Sequence, residues 1–241
     1  MTKKTELAVK TKTKLQTNQA QSTSLQLHVT LIYSQPSIWR RIVVPTEISL
    51  GSLHAILQIA FDWTNSHLHQ FRLSDQSANY SNPVFQLDEM GAPTSDEFGI
   101  SVGQLLASPG QKLIYTYDFG DGWDHEIVLE KILTGEHAVP VPQCLDGDKA
   151  GPPDDCGGVG GYADLLDILR HPKHPEHQER VSWLVGIKSE FFDPNVFEMH
   201  YANHWLAKAF KTLPRLRKQE SWWYRSQPRV VGWRKAKWKV S

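Results

Sequence analysis

The chain has 241 residues, 40% of them apolar, and its 26 basic and 26 acidic side chains cancel to a formal net charge of zero. That length can bury a self-sufficient core. The lack of any run of about 18 apolar residues excludes a membrane-spanning helix, and the lysines of residues 1–24 are followed by no apolar stretch of the kind a secretory signal needs. With two cysteines, Cys144 and Cys156, the expected compartment is the reducing cytoplasm, where a structural disulfide is not expected.

The zero net charge conceals a strong separation. Residues 1–24 carry a net charge of +4, residues 207–241 carry +10, and the stretch between them, 25–206, carries −14. Asymmetry of this kind bears on partners rather than on fold. Residues 1–24 are rich in Lys, Thr, Gln and Ser, bury almost nothing, and read as a disordered basic tail. Residues 25–210 read as one domain, and residues 211–241 as a basic, Trp-rich C-terminal extension.

Order is expected from Leu25, where Leu25, Leu27, Val29, Leu31 and Tyr33 alternate with polar residues as in a half-buried strand. After a turn at Gln35–Pro36, Ile38 to Val44 reads as its hairpin partner. Ser49 caps a predicted helix over 49–61, with Leu50, Leu53, Leu57 and Phe61 at helical spacing. Residues 67–73 return to strand, and residues 74–99 are mostly loop with a short strand near Tyr80. A short helix is expected near 102–107. The clearest hairpin spans 112–133, with Leu113, Tyr115 and Tyr117 on one face and a turn at Phe119-Gly120-Asp121-Gly122.

Residues 140–161, with four Pro, six Gly, four Asp and both cysteines, read as a long structured loop. Helices follow over 161–170 and 176–185. A last helix over 194–210 is predicted to start with Asp193 as N-cap and Pro194 at the first helical position. Strands first and helices mostly last is an α+β order, with an antiparallel sheet built from hairpins.

Several segments, in this order and spacing, resemble the plasmid pRiA4b ORF-3-like family. They are Ile38-Trp39-Arg40-Arg41, Leu53-His54 with Leu57-Gln58, His67-Leu68-His69, and Tyr115-Thr116-Tyr117-Asp118-Phe119-Gly120-Asp121 with Trp123 and His125. Cys144, the run Pro152-Pro153-Asp154-Asp155-Cys156-Gly157-Gly158, Gly161-Tyr162, and Asp193-Pro194 with Phe197 and Asn203 complete the set. The resemblance covers roughly residues 25–210, with Asp154 and Asp155 at positions where the family often has Glu. It implies an association with plasmids and insertion elements rather than a particular reaction. No serine set among arginines, as a resolvase would need, is present.

Five features are candidates for function. The first is a metal site drawn from His67, His69, Asp121, Asp124, His125, Cys144 and Cys156, since imidazole and thiolate suit zinc. No CxxC pair is present, and buried cysteines with hydrogen-bonded strand histidines account for the same residues. The second is the crowding of Asp118, Asp121, Asp124 and His125 at one turn, which suits a divalent cation or acid–base chemistry and equally suits an Asx turn. The third is the glycine run before the 161–170 helix. It lacks the GK[ST] of a phosphate loop and reads as a close-packed helix entry. The fourth is Arg40 and Arg41, on opposite faces of one strand, where an arginine in an acidic domain is expected to pair with a carboxylate.

The fifth is the C-terminal segment. It interleaves Trp222, Trp223, Tyr224, Trp233 and Trp238 with Arg215, Arg217, Arg225, Arg229, Arg234, Lys235, Lys237 and Lys239. Cations bind phosphates and aromatic rings stack on unpaired bases. The same composition suits an acidic protein surface, an anionic membrane, or the acidic core of the chain itself. Two functions are open on these grounds. One is a binding or accessory module whose basic tails engage nucleic acid or a protein partner. The other is a metal-dependent hydrolase with an Asp/His/Cys site.

Overall fold

The computed structural model describes residues 23–85, 93–188 and 192–210. Eight strands form one sheet: β1 (Thr23–Leu31), β2 (Trp39–Pro45), β3 (His69–Leu73), β4 (Asn79–Ser81), β5 (Ser95–Asp96), β6 (Lys112–Tyr117), β7 (Trp123–Thr134) and β8 (Gln143–Asp148). Their order is β5-β4-β3-β6-β7-β1-β2-β8, and every neighbouring pair is antiparallel except β4–β5. The helices are α1 (Leu50–Ala60), the single turn α2 (Val102–Leu105), α3 (Gly158–Arg170), α4 (His177–Ile187) and α5 (Met199–Phe210). The fold is α+β, as the order of elements predicts.

The period-two pattern in the sequence sets the faces. Leu25, Leu27, Val29 and Leu31 of β1 are buried, and so are Leu113, Tyr115 and Tyr117 of β6 and Trp123, Ile127 and Leu129 of β7. Each such side chain removed from water stabilises the fold by about 1.5–3 kcal/mol. The intervening residues lie half-buried on the other face and pair across strands. Arg41 donates to both Glu130 oxygens at 2.8 and 2.9 Å, and Lys112 lies 2.8 Å from Glu126. Arg41 thus finds the carboxylate expected of it.

Arg40 does not. Its side chain points inward, only 1% exposed, and its guanidinium donates to the carbonyls of Ala60, Trp39 and Asp148. Phe61 and Phe197 lie on it, with Phe197 3.7 Å away. Ala60 is the last residue of α1, so the cation sits where the helix leaves its carbonyls unpaired. Burial lowers its pKa to about 10.

α1 is enclosed on all sides: every residue of it except Ala55 is buried. Ser49 caps it by accepting from the Ser52 N–H. Gly51 admits the ring of Phe98, which would lie 2.2 Å from a Cβ at that position. A helix buried this completely must satisfy its polar side chains internally, and those of His54 and Gln58 lead into the interior described below.

Two expectations are corrected. The Pro/Gly/Asp-rich stretch contains a strand: β8 pairs with β2, with Arg40 opposite Gly147 and Ile42 opposite Cys144. The last helix begins at Met199 rather than at 194. Asp193 instead closes a turn, its carboxylate accepting from Asn195 N–H and its carbonyl from Val196 N–H. That turn sets Phe197 against Arg40 before α5 starts. The expected tails, 1–24 and 211–241, lie outside the described residues apart from Thr23 and Ser24, which open β1.

Candidate functional site

Beneath α1 lies a sealed polar layer. His54 Nδ1 is 2.7 Å from the Tyr115 hydroxyl and its Nε2 is 2.8 Å from Asn65 Oδ1. Gln58 donates to the same hydroxyl at 3.1 Å and accepts from the Asn65 N–H. His69 stacks on His54 with ring centres 3.4 Å apart, and its Nε2 lies 2.9 Å from Glu97 Oε2. His125 lies edge-on to Phe61 and Trp63, and its Nδ1 faces the Trp123 carbonyl.

All of these rings are fully buried, and burial favours the neutral form of each. It lowers His69 and His125 to about 3, holds His54 well below its ordinary value and raises Glu97 to about 7. The His69–Glu97 contact is therefore one between a neutral imidazole and a carboxyl that favours its protonated form. The layer braces α1 against β3, β6 and β7.

A second cluster forms where three loops meet at the β6–β7 end of the sheet. His67, in the loop before β3, lies between two carboxylates: Nδ1 is 3.6 Å from Asp118 Oδ2 and Nε2 is 3.1 Å from Asp155 Oδ1. Nε2 is shielded from solvent and makes no hydrogen bond among the described residues. One donor atom from each of the three residues lies within 4.8 Å of the others.

The backbone holds this arrangement. Asp118 and Asp155 both adopt left-handed φ, near 56° and 59°. Asp118 accepts from the Gly120 N–H at 2.9 Å. Asp154, next to Asp155, accepts from Thr64 and, at 3.2 Å, from the Tyr117 hydroxyl, which in turn accepts from the Ser66 N–H. Asp121 accepts from the Gly157 N–H. Gly158, at φ +68°, lies so close that a Cβ would sit 2.3 Å from the Asp121 carbonyl oxygen. The Tyr117-Asp118-Phe119-Gly120-Asp121 turn and the Pro152–Gly158 run thus lock together around His67.

Of the residues singled out as metal ligands, only His67 joins this cluster. His69 and His125 belong to the sealed layer. Asp121 faces Gly157, and Asp124 accepts from Thr116 and lies 3.5 Å from Arg72 on the outer sheet face. Both cysteines are free, and burial raises Cys144 to about 11 and Cys156 to about 12. Among the described residues no other trio of His, Cys, Asp or Glu meets at ligand distances. Asp155 was absent from the expected ligands, and Asp118 was expected with Asp121, Asp124 and His125 at the turn rather than with His67. Their signal was the pair of Gly/Asp-rich runs, each of which places one aspartate in the left-handed region. The cluster donates one imidazole and two carboxylates, a set suited to zinc, manganese or iron(II).

The expected nucleic-acid residues Arg215, Arg217, Trp222, Trp223, Arg225, Arg229, Trp233, Arg234, Lys235, Lys237 and Trp238 lie outside the described residues. Among the described residues no helix is long and apolar enough to cross a membrane.

The sequence pattern of the plasmid pRiA4b ORF-3-like protein family matches residues 23–201. The chain belongs to that family. It is 36% identical over 160 residues to "Uncharacterized protein y4hQ" of Sinorhizobium fredii, a match spanning 66% of this chain and 79% of that one. It is also similar to the crystal structure of MM3350, a protein of unknown function from Methanosarcina mazei, with a TM-score of 0.64 and 31% identity. That likeness covers 74% of this chain and 97% of the other.

Proposed function

We propose that this member of the plasmid pRiA4b ORF-3-like family is a binding module, an acidic α+β domain that presents basic terminal segments to nucleic acid. The observation that carries this reading is the separation of charge, −14 over residues 25–206 against +4 and +10 in the flanking segments. An acidic domain repels a polyanion, so attraction is confined to the ends of the chain. The C-terminal segment adds four tryptophans, Trp222, Trp223, Trp233 and Trp238, among its cations. Aromatic stacking favours unpaired bases over duplex. An accessory role beside a plasmid or mobile element fits this chemistry.

Fluorescence anisotropy with labelled single-stranded and duplex DNA tests the reading. Single strands are expected to bind more tightly. Engagement of six to ten phosphates would cost the affinity for duplex a factor of about 10³–10⁵ between 50 and 200 mM salt, and less for single strands. Binding that ignores salt, or none at low salt, contradicts the reading. Capture of an acidic protein without DNA binding would replace nucleic acid with a protein partner.

A second reading is a metal-dependent hydrolase, favoured by the approach of His67, Asp118 and Asp155 to one another. A divalent cation held there would polarise a substrate oxygen or lower the pKa of a bound water. The cysteines of the expected site have no part in it.

A further inference from the structure

A cavity of about 320 Å³ lies away from both clusters, between α3, α4, the β1–β2 loop and residues 192–195. Its walls are apolar: Leu166 and Leu169 from α3, Val181 and Leu184 from α4, and Phe192. Pro36 and Ile38 close one side. The volume is at the small end of ligand pockets, which run from about 300 to 1,000 Å³.

Among the described residues its two charged lining side chains are Lys149 and Arg170, with no acidic one, and Asn195 adds an amide. Arg170 forms no ion pair among the described residues, and Lys149 reaches only Asp148, at 3.6 Å. Tyr162 also lines the cavity. Its side chain is only 5% exposed. Two cations at one cavity are conspicuous in a domain whose net charge is strongly negative.

We propose that this cavity binds a small amphipathic anion, a carboxylate on a short acyl chain or single-ring apolar body. The apolar part fills the space between α3 and α4, and the carboxylate is held by Lys149 and Arg170. Charge-assisted hydrogen bonds from lysine and arginine to a carboxylate are strong. This site is independent of the function proposed above, since it shares no residue with the tails or with His67, Asp118 and Asp155.

Calorimetric titration of the full chain with decanoate tests it, with decyltrimethylammonium as a cation of the same chain length. Saturable one-to-one binding of decanoate, with none of the cation, is expected. The Lys149→Gln/Arg170→Gln double variant, whose changes lie at the mouth and leave the core intact, should weaken it roughly tenfold or more. Leu169→Trp, which fills the cavity, should abolish it. No saturable decanoate binding, equal binding of the two amphiphiles, or unchanged affinity in the charge variant overturns the proposal.

Discussion

Asn203 of α5 pairs its side-chain amide with both backbone groups of Cys144. Its Oδ1 accepts from the Cys144 N–H at 2.7 Å and its Nδ2 donates to the Cys144 carbonyl at 2.8 Å. Among the described residues β8 is the last strand of the sheet, and these groups face away from β2. The amide of Asn203 stands in for a ninth strand at that point. It covers an edge that would otherwise offer itself to another chain. Asn203→Ala leaves both groups without that partner and is expected to cost about 1–3 kcal/mol. Urea denaturation checks this, and a loss below about 0.5 kcal/mol contradicts it.

Tyr117 joins the core to the loop cluster. Its ring is fully buried against Trp63, and its hydroxyl reaches Asp154. Tyr117→Ala should cost about 3–5 kcal/mol, as truncation of a buried aromatic does. Tyr117→Phe keeps the ring and should cost only about 1 kcal/mol for the lost hydrogen bonds. Equal losses in the two variants would contradict the placement of the ring.

Glu97 gives the domain a pH dependence of its own. Its folded pKa, about 7, lies above the ordinary 4.5 because burial penalises the charge. Between those values the folded state holds a proton that the unfolded state has released, so this contribution to stability is lost as pH rises through 7. His69 and His125 have the opposite sign. Their folded values, about 3, lie below 6.5, so their contribution is present above 6.5 and lost on acidification. Glu97→Gln mimics the protonated carboxyl and removes only the first effect. Its stability relative to the parent should rise between about pH 5 and pH 8. A constant difference across that range contradicts the assignment.

The hydrolase reading makes a prediction about metal content. Mass spectrometry of the purified, untagged chain should then find near-stoichiometric zinc, manganese or iron, lost in His67→Ala and in Asp118→Asn. A Cys144→Ser/Cys156→Ser variant should retain it, because neither cysteine lies in the cluster. A metal-free parent removes this reading.

The hairpins and α1 were legible because alternation and helical spacing are local signals, and Leu25 to Leu31 and Leu50 to Ala60 carry them without interruption. β8 was not, because Gln143-Cys144-Leu145-Asp146-Gly147-Asp148 has a loop composition and becomes a strand only by pairing with β2, a hundred residues earlier. Asp193-Pro194 carries a valid helix-start signal, but the chain spends it on a turn that seats Phe197 on Arg40. The sequence reads His67 and His69 as parts of one strand over residues 67–73. His67 lies before β3 begins, so one meets the loop carboxylates and the other the core. The partners Asp118 and Asp155 come from loops far apart in sequence, and no spacing rule joins them.

In the proposed function the ends of the chain, and not its acidic domain, hold the partner. The most direct test compares the intact protein with a chain ending at Phe210, titrated against labelled single-stranded DNA at low salt. Salt-sensitive binding by the intact chain, largely lost on truncation, is expected. Equal affinity of the two chains would contradict it.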